Sequence, residues 1–108
     1  MASPANVTLS HGNAIEYRAY TRRFFPDSKP VVLFLAATCY YPTAGFSISF
    51  QPTASGFQLI EHPPTGIVPQ LVTYYSASWN SSQQETMPPT HVEITDAFGQ
   101  HRIHVQNW

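Results

Sequence analysis

The sequence has very little charge. Asp, Glu, Lys and Arg make up 10% of its 108 residues, against roughly 25% in an average soluble domain, so polar surface must come from Ser, Thr, Gln, Asn and Tyr. Five basic and six acidic residues leave a net charge of −1. Arg18, Arg22 and Arg23 form a small basic cluster. That is a poor footprint for nucleic acid, whose binding is driven by the release of many counterions, and no nucleic-acid partner is expected. A single cysteine, Cys39, cannot make an internal disulfide, which excludes a stapled secreted scaffold. The longest apolar run, Val31 to Ala37, falls far short of the roughly 20 residues of a spanning helix, so no membrane partner is expected. The segment MASPANVTLS has neither the basic start nor the apolar core of a signal peptide, and the expected location is cytoplasmic.

Several chemical signatures are missing as well. The glycines are scattered singly, so no phosphate cradle is present, and no paired-carboxylate pattern or tight metal-ligand pair occurs. These gaps argue against an enzyme and call for no cofactor. They favour a binding or interaction module whose partner is another protein or a second copy of the chain.

No window carries a sustained helical period with caps. What is there instead is short alternation. Hydrophobic residues are 43% of the chain and aromatic residues 14%, enough for one folded domain across residues 1–108. Val7 and Leu9, then Ile15, Tyr17 and Ala19, alternate with polar neighbours on either side of His11-Gly12-Asn13, which predicts a first hairpin. Val31 to Tyr41 is apolar on both parities, as in a central strand covered on both faces. Phe46 to Gln51, Phe57 to Glu61 and Gln70 to Trp79 are further strands, while Arg22 to Pro30 and Asn80 to Thr90 are loops. Near the C-terminus, a turn centred on Phe98-Gly99 would pair Ile94 with Ile103 and Val92 with Val105, placing Glu93 opposite His104.

Seven to eight strands at this spacing predict an all-β fold: an antiparallel, immunoglobulin-like two-sheet β-sandwich, with a small β-barrel as the alternative. The double-sided apolar run would suit a helix lying over a sheet better, but no window supplies that helix. Charge-poor edge strands would be open to pairing, which predicts a homodimer.

Pro42-Thr43-Ala44-Gly45 is nearly repeated at Pro52-Thr53-Ala54-Ser55-Gly56 and echoed at Pro63-Pro64-Thr65-Gly66. Proline fixes one dihedral and glycine permits a positive one, so each unit ends one strand and starts another. Gathered at one end of the domain, such turns would form a recognition rim. Its residues would be Tyr40, Tyr41, Pro42, Thr43, Gly45, Pro64, Thr65 and Gly66, with the tyrosines giving contact area at low entropic cost.

The six residues YPTAGF, Tyr41 to Phe46, resemble the Asn-Pro-Thr-Thr-Gly-Tyr loop of chagasin-like cysteine-protease inhibitors. They depart from it at Tyr41 and Ala44, and the family's Gly-rich and Arg-Pro-aromatic loops have no counterpart. The resemblance implies an immunoglobulin-like fold and an inhibitory wedge at this turn.

Cys39 shares a parity with Leu33, Leu35 and Ala37, which predicts a buried thiol and not an activated nucleophile. Of the five histidines, His91 and His104 share a polar face with Glu93 on the terminal hairpin, a set that could supply three ligands to zinc or iron and that makes a small metal-binding β protein or enzyme the alternative function. Asp96 and His101 flank the last turn within reach of each other. Tyr74, Tyr75 and Trp79 read as core, and the terminal Trp108 as a group that docks on a partner.

Overall fold

The alternating segments form eight strands in a computed structural model that describes residues 8–22, 32–81 and 89–107. They are β1 (Thr8–Leu9), β2 (Asn13–Arg22), β3 (Val32–Tyr41), β4 (Ser47–Pro52), β5 (Phe57–His62), β6 (Thr73–Asn80), β7 (His91–Asp96) and β8 (Gly99–Asn107). Arg22, expected to open a loop, is the last residue of β2; the rest of the predicted Arg22 to Pro30 loop, most of the Asn80 to Thr90 loop, Val7 and Trp108 lie outside the described residues.

The strands belong to one curled sheet, a half-barrel, and not to an immunoglobulin-like sandwich. β5 pairs along its whole length with β4. Its other edge is shared by β1, at Glu61 and Ile60, and by β7, in parallel at Phe57 and Gln58. The order then runs through β8, β2 and β3 to β6. β8 is the strand that defeats the sandwich. Its first part pairs antiparallel with β7, and its last residues, Val105 to Asn107, pair in parallel with β2. One strand thus carries backbone hydrogen bonding from one would-be layer into the other. The curl also brings β4 and β6 beside each other. No backbone ladder joins these two long end strands, and no contact among the described residues supports the homodimer expected from the sequence.

The inner face of the curl holds the core. Leu33, Leu35, Ala37, Cys39 and Tyr41 on β3 are buried together with Ile48, Phe50, Leu59, Val92, Ile94 and Val105. The other parity of β3 is covered less completely: Val32 is buried, Phe34, Ala36 and Thr38 are half-buried, and Tyr40 is exposed. The double-sided apolar run thus marks the middle of a sheet, and no overlying helix is required. Aromatic residues fill the inner concavity, with Tyr41 stacked on Phe46 at 4.0 Å between ring centres and Phe57 edge-on to Trp79 at 4.7 Å. Tyr74, expected in the core, points outward.

Two pairings differ from the sequence reading. His11-Gly12-Asn13 closes no hairpin, because β1 pairs with β5 and β2 with β3. In the last hairpin the turn is Ala97-Phe98, so Val92 faces Ile103 and Ile94 faces His101. That register is two residues from the predicted one. A two-residue slip keeps every side chain on its own face, which is why the alternation was right and the partners were not.

Candidate functional site

At one mouth of the half-barrel the ends of β3 and β5 bring a set of polar groups into the core. Glu61 lies on the inward parity of β5 with Phe57 and Leu59. The Tyr41 hydroxyl donates to Glu61 Oε1 at 2.8 Å and stands 2.7 Å from Ser10 Oγ. A phenol has one proton, so Ser10 must be the donor to Tyr41. Ser10 Oγ in turn accepts the Gly12 N–H at 3.2 Å, and the His11 N–H donates to the same Glu61 oxygen at 2.7 Å. The hydrogen bonds therefore run in one direction, from Gly12 through Ser10 and Tyr41 onto the Glu61 carboxylate. The His11 ring lies 3.5 Å from the other carboxylate oxygen.

A second buried carboxylate, Asp96, lies on the inward parity of β7 with Val92 and Ile94. Its Oδ2 accepts the Tyr17 hydroxyl at 2.6 Å, and its Oδ1 accepts the Phe98 N–H at 2.8 Å, which fixes the β7–β8 turn. His101 Nε2 lies 3.0 Å from Oδ2, in a geometry that is not aligned as a hydrogen bond. Ser10 joins the two groups, since its carbonyl accepts the Ala97 N–H at 3.0 Å. Above Asp96 lies a cleft of about 360 Å³ lined by Gly12, Ala14, Ile15, Tyr17, Phe98 and His101, among others. Ala14 adopts a left-handed φ of 54° at the bulge in β2 that shapes this wall.

Cys39 sits beside Ser10 and Tyr41 with no exposed surface. A methyl group on Gly12 would stand 2.5 Å from its sulfur, so the Gly12 backbone closes over the thiol. Burial pushes the Cys39 thiol above its ordinary 9.0, outweighing the Ser10 and Tyr41 hydrogen bonds that favour the thiolate. Burial likewise raises Tyr17, helped by its hydrogen bond to Asp96 and that residue's charge. Tyr41 is raised by burial first and then by Glu61, with Ser10 opposing.

These shifts set a direction for stability. All three groups hold their protons more tightly folded than unfolded, so their contribution is complete at neutral pH. As pH rises past about 9 for the thiol and about 10 for the phenols, the unfolded chain ionises first and stability falls. Melting temperatures measured from pH 8 to pH 11 are expected to decline from about pH 9 onward, and Tyr17→Phe is expected to make the decline shallower.

The residues read as a recognition rim divide. Tyr41 is buried and belongs to the polar network. Tyr40 is exposed, and its ring lies 5.0 Å from that of the outward-facing Tyr74. The Pro42–Gly45 and Pro64–Gly66 turns come together: the Ala44 N–H donates to the Pro69 carbonyl at 3.3 Å. Gly45, at φ 92°, packs so closely on Pro64 that a Cβ would meet its ring at 2.7 Å. Pro42, Thr65 and Gly66 are exposed, and Thr43 is half-buried. The loop continues into Ile67, Leu71 and Val72, all exposed, and the strand expected from Gln70 begins only at Thr73. The Pro52–Gly56 turn lies at the opposite end, where it closes the β4–β5 hairpin.

In the terminal hairpin His91 faces His104, with ring centres 5.4 Å apart, whereas Glu93 faces Arg102 and pairs with it at 3.4 Å. Among the described residues no three His, Cys, Asp or Glu side chains are grouped so as to hold a metal. No described helix is long and apolar enough to cross a membrane. Ser10, Tyr17, Glu61 and Asp96 were not singled out as a group from the sequence. The available signal was a carboxylate on an apolar parity, at Glu61 and again at Asp96. Comparison with known proteins finds no family model, no curated protein and no solved structure that matches the chain.

Proposed function

We propose that the chain is a non-catalytic module that binds a protein partner through the surface formed by Tyr40, Tyr74 and the paired loops 42–45 and 63–72. The observation that carries this reading is a run of outward apolar side chains. Tyr40 and Tyr74 are 42% and 55% exposed, Leu71 and Val72 are 64% and 68% exposed, and Ile67 is fully exposed. Tyrosines with two rotatable bonds, set on a strand pair with Thr38, Glu16 and Arg18 beside Tyr74, are the residues that dominate protein contacts.

The state of the chemical groups supports the same reading. A nucleophilic cysteine needs access and a lowered pKa, and Cys39 has neither. Tyr17 and Tyr41 hold their protons, and both buried carboxylates are occupied by donors from the chain. Those groups shape the fold and do not act on a substrate. A cytoplasmic location belongs to this reading and agrees with a sequence that carries no disulfide framework.

Selection of binders from a displayed random-peptide library tests the assignment. Recovered binders are expected to lose about tenfold or more in affinity for Tyr74→Ser and for Leu71→Ser, a drop of about 1.4 kcal/mol or more. Both variants should keep a melting temperature close to that of the parent, as exposed substitutions do. Binders indifferent to both changes would place recognition elsewhere.

A further inference from the structure

The mouth opposite the Tyr41–Glu61 network ends in a cavity of about 340 Å³. Its apolar walls are Leu33 from β3, Phe57 from β5, Trp79 from β6 and Val92 from β7. Ser55, Ser81, Pro89, His91 and Glu93 complete the lining. Concave apolar walls with a few placed polar groups are the usual make-up of a small-molecule site, and this volume lies within the size range of such sites.

We propose that this cavity binds a small, neutral aromatic molecule of about two fused rings that carries a hydroxyl or amino group. Size sets the ring count, since a cavity of about 150 Å³ accepts benzene and this one is roughly twice as large. Ring geometry sets the class. Phe57 and Trp79 stand edge to face at 62°, an arrangement that offers both a ring face and a ring edge to a third flat ring. Electrostatics sets the charge. The one carboxylate at the rim, Glu93, is already paired with Arg102, and an ionised ligand would enter apolar walls with no counter-charge left for it. Ser81 provides the polar end. Ser81 Oγ accepts the Leu33 N–H at 3.1 Å, which leaves its own proton to donate to a ligand hydroxyl or amino group. Gly56 packs so tightly on Glu93 that the wall there is bare backbone. The site is separate from the Tyr40–Tyr74 surface and does not depend on the function proposed for it.

The test uses the full chain with 2-naphthol as probe, followed by calorimetry and by the indole N–H resonances. There are two tryptophans, and Trp108→Phe identifies the Trp79 signal. Saturable one-to-one binding at submillimolar concentration that shifts the Trp79 resonance is expected. Ser55→Trp, an exposed position at the rim, should weaken binding at least tenfold without lowering the melting temperature. Naphthalene-2-sulfonate, the charged counterpart, should bind at least tenfold more weakly than 2-naphthol. Absence of saturable binding, or binding that leaves Trp79 unshifted and is unaffected by Ser55→Trp, overturns the site. Tighter binding of the sulfonate overturns the neutral class.

Discussion

Gly56→Ala is expected to lower the melting temperature by about 12–24 °C. A Cβ at this position would stand 2.3 Å from the backbone oxygen of Glu93 and 3.2 Å from its carbonyl carbon. No rotamer change relieves a collision with backbone, so either the β4–β5 turn or β7 has to move. The displacement falls on the parallel pairing of Phe57 with Ile94, the junction that joins β5 to the rest of the sheet. Ile94 and Leu59 beside it have no exposed surface, so the neighbourhood has no slack. Overpacking costs about 1–3 kcal/mol when side chains can share the strain, and a backbone collision falls at about 3 kcal/mol or above. At roughly 4–8 °C per kcal/mol for a domain near this size, the stated range follows. Gly66→Ala is the control. Gly66 has φ 81° and nothing within 4 Å of an added Cβ, so only the left-handed backbone is strained, at about 1–2 kcal/mol. Thermal unfolding of the two variants beside the parent checks both the size and the order of the effects.

The strands themselves were legible because period-two alternation is a local signal that survives whatever partner a strand finds. Val92 and Ile94 against Glu93 and Thr95 specify a face with no knowledge of the neighbour. Topology was not legible. The junctions of β2 with β8 and of β5 with β7 are parallel, with no turn between the partners to announce them, and they decide between a half-barrel and a sandwich. The resemblance of Tyr41 to Phe46 to an inhibitor loop rested on turn chemistry that many folds share. The fold it implied is absent, and Tyr41 is turned inward against Phe46 and Tyr75.

The polar network was half legible. Cys39 was correctly placed in the core, and Asp96 and His101 do meet. Glu61 and Asp96 looked like polar ends of strands because a lone carboxylate after two apolar residues suggests an exit to solvent. In the fold each stays inside because a tyrosine from a distant strand donates to it, Tyr41 to Glu61 and Tyr17 to Asp96. Such pairs, separated by 20 and 79 positions, leave no trace in local pattern. The exposed Leu71 and Val72 were hidden for the opposite reason. They directly precede β6 and read as its continuation, whereas the strand begins only at Thr73.

The chemically conspicuous groups Cys39, Tyr41 and Glu61 are sealed into the fold. Cys39 reports on this directly, because the chain has one thiol and it sits among Ser10, Tyr41 and the backbone of Gly12. The decisive measurement is the rate at which an aromatic disulfide reagent modifies Cys39 at pH 8, compared between the native chain and the chain unfolded in denaturant. A sealed thiol reacts only when the structure opens. The native rate is therefore expected to be lower by about 10³-fold or more, and to rise with denaturant in step with unfolding. A native rate within about tenfold of the unfolded one would mean an open, accessible thiol beside Tyr41 and Glu61, and would contradict the account.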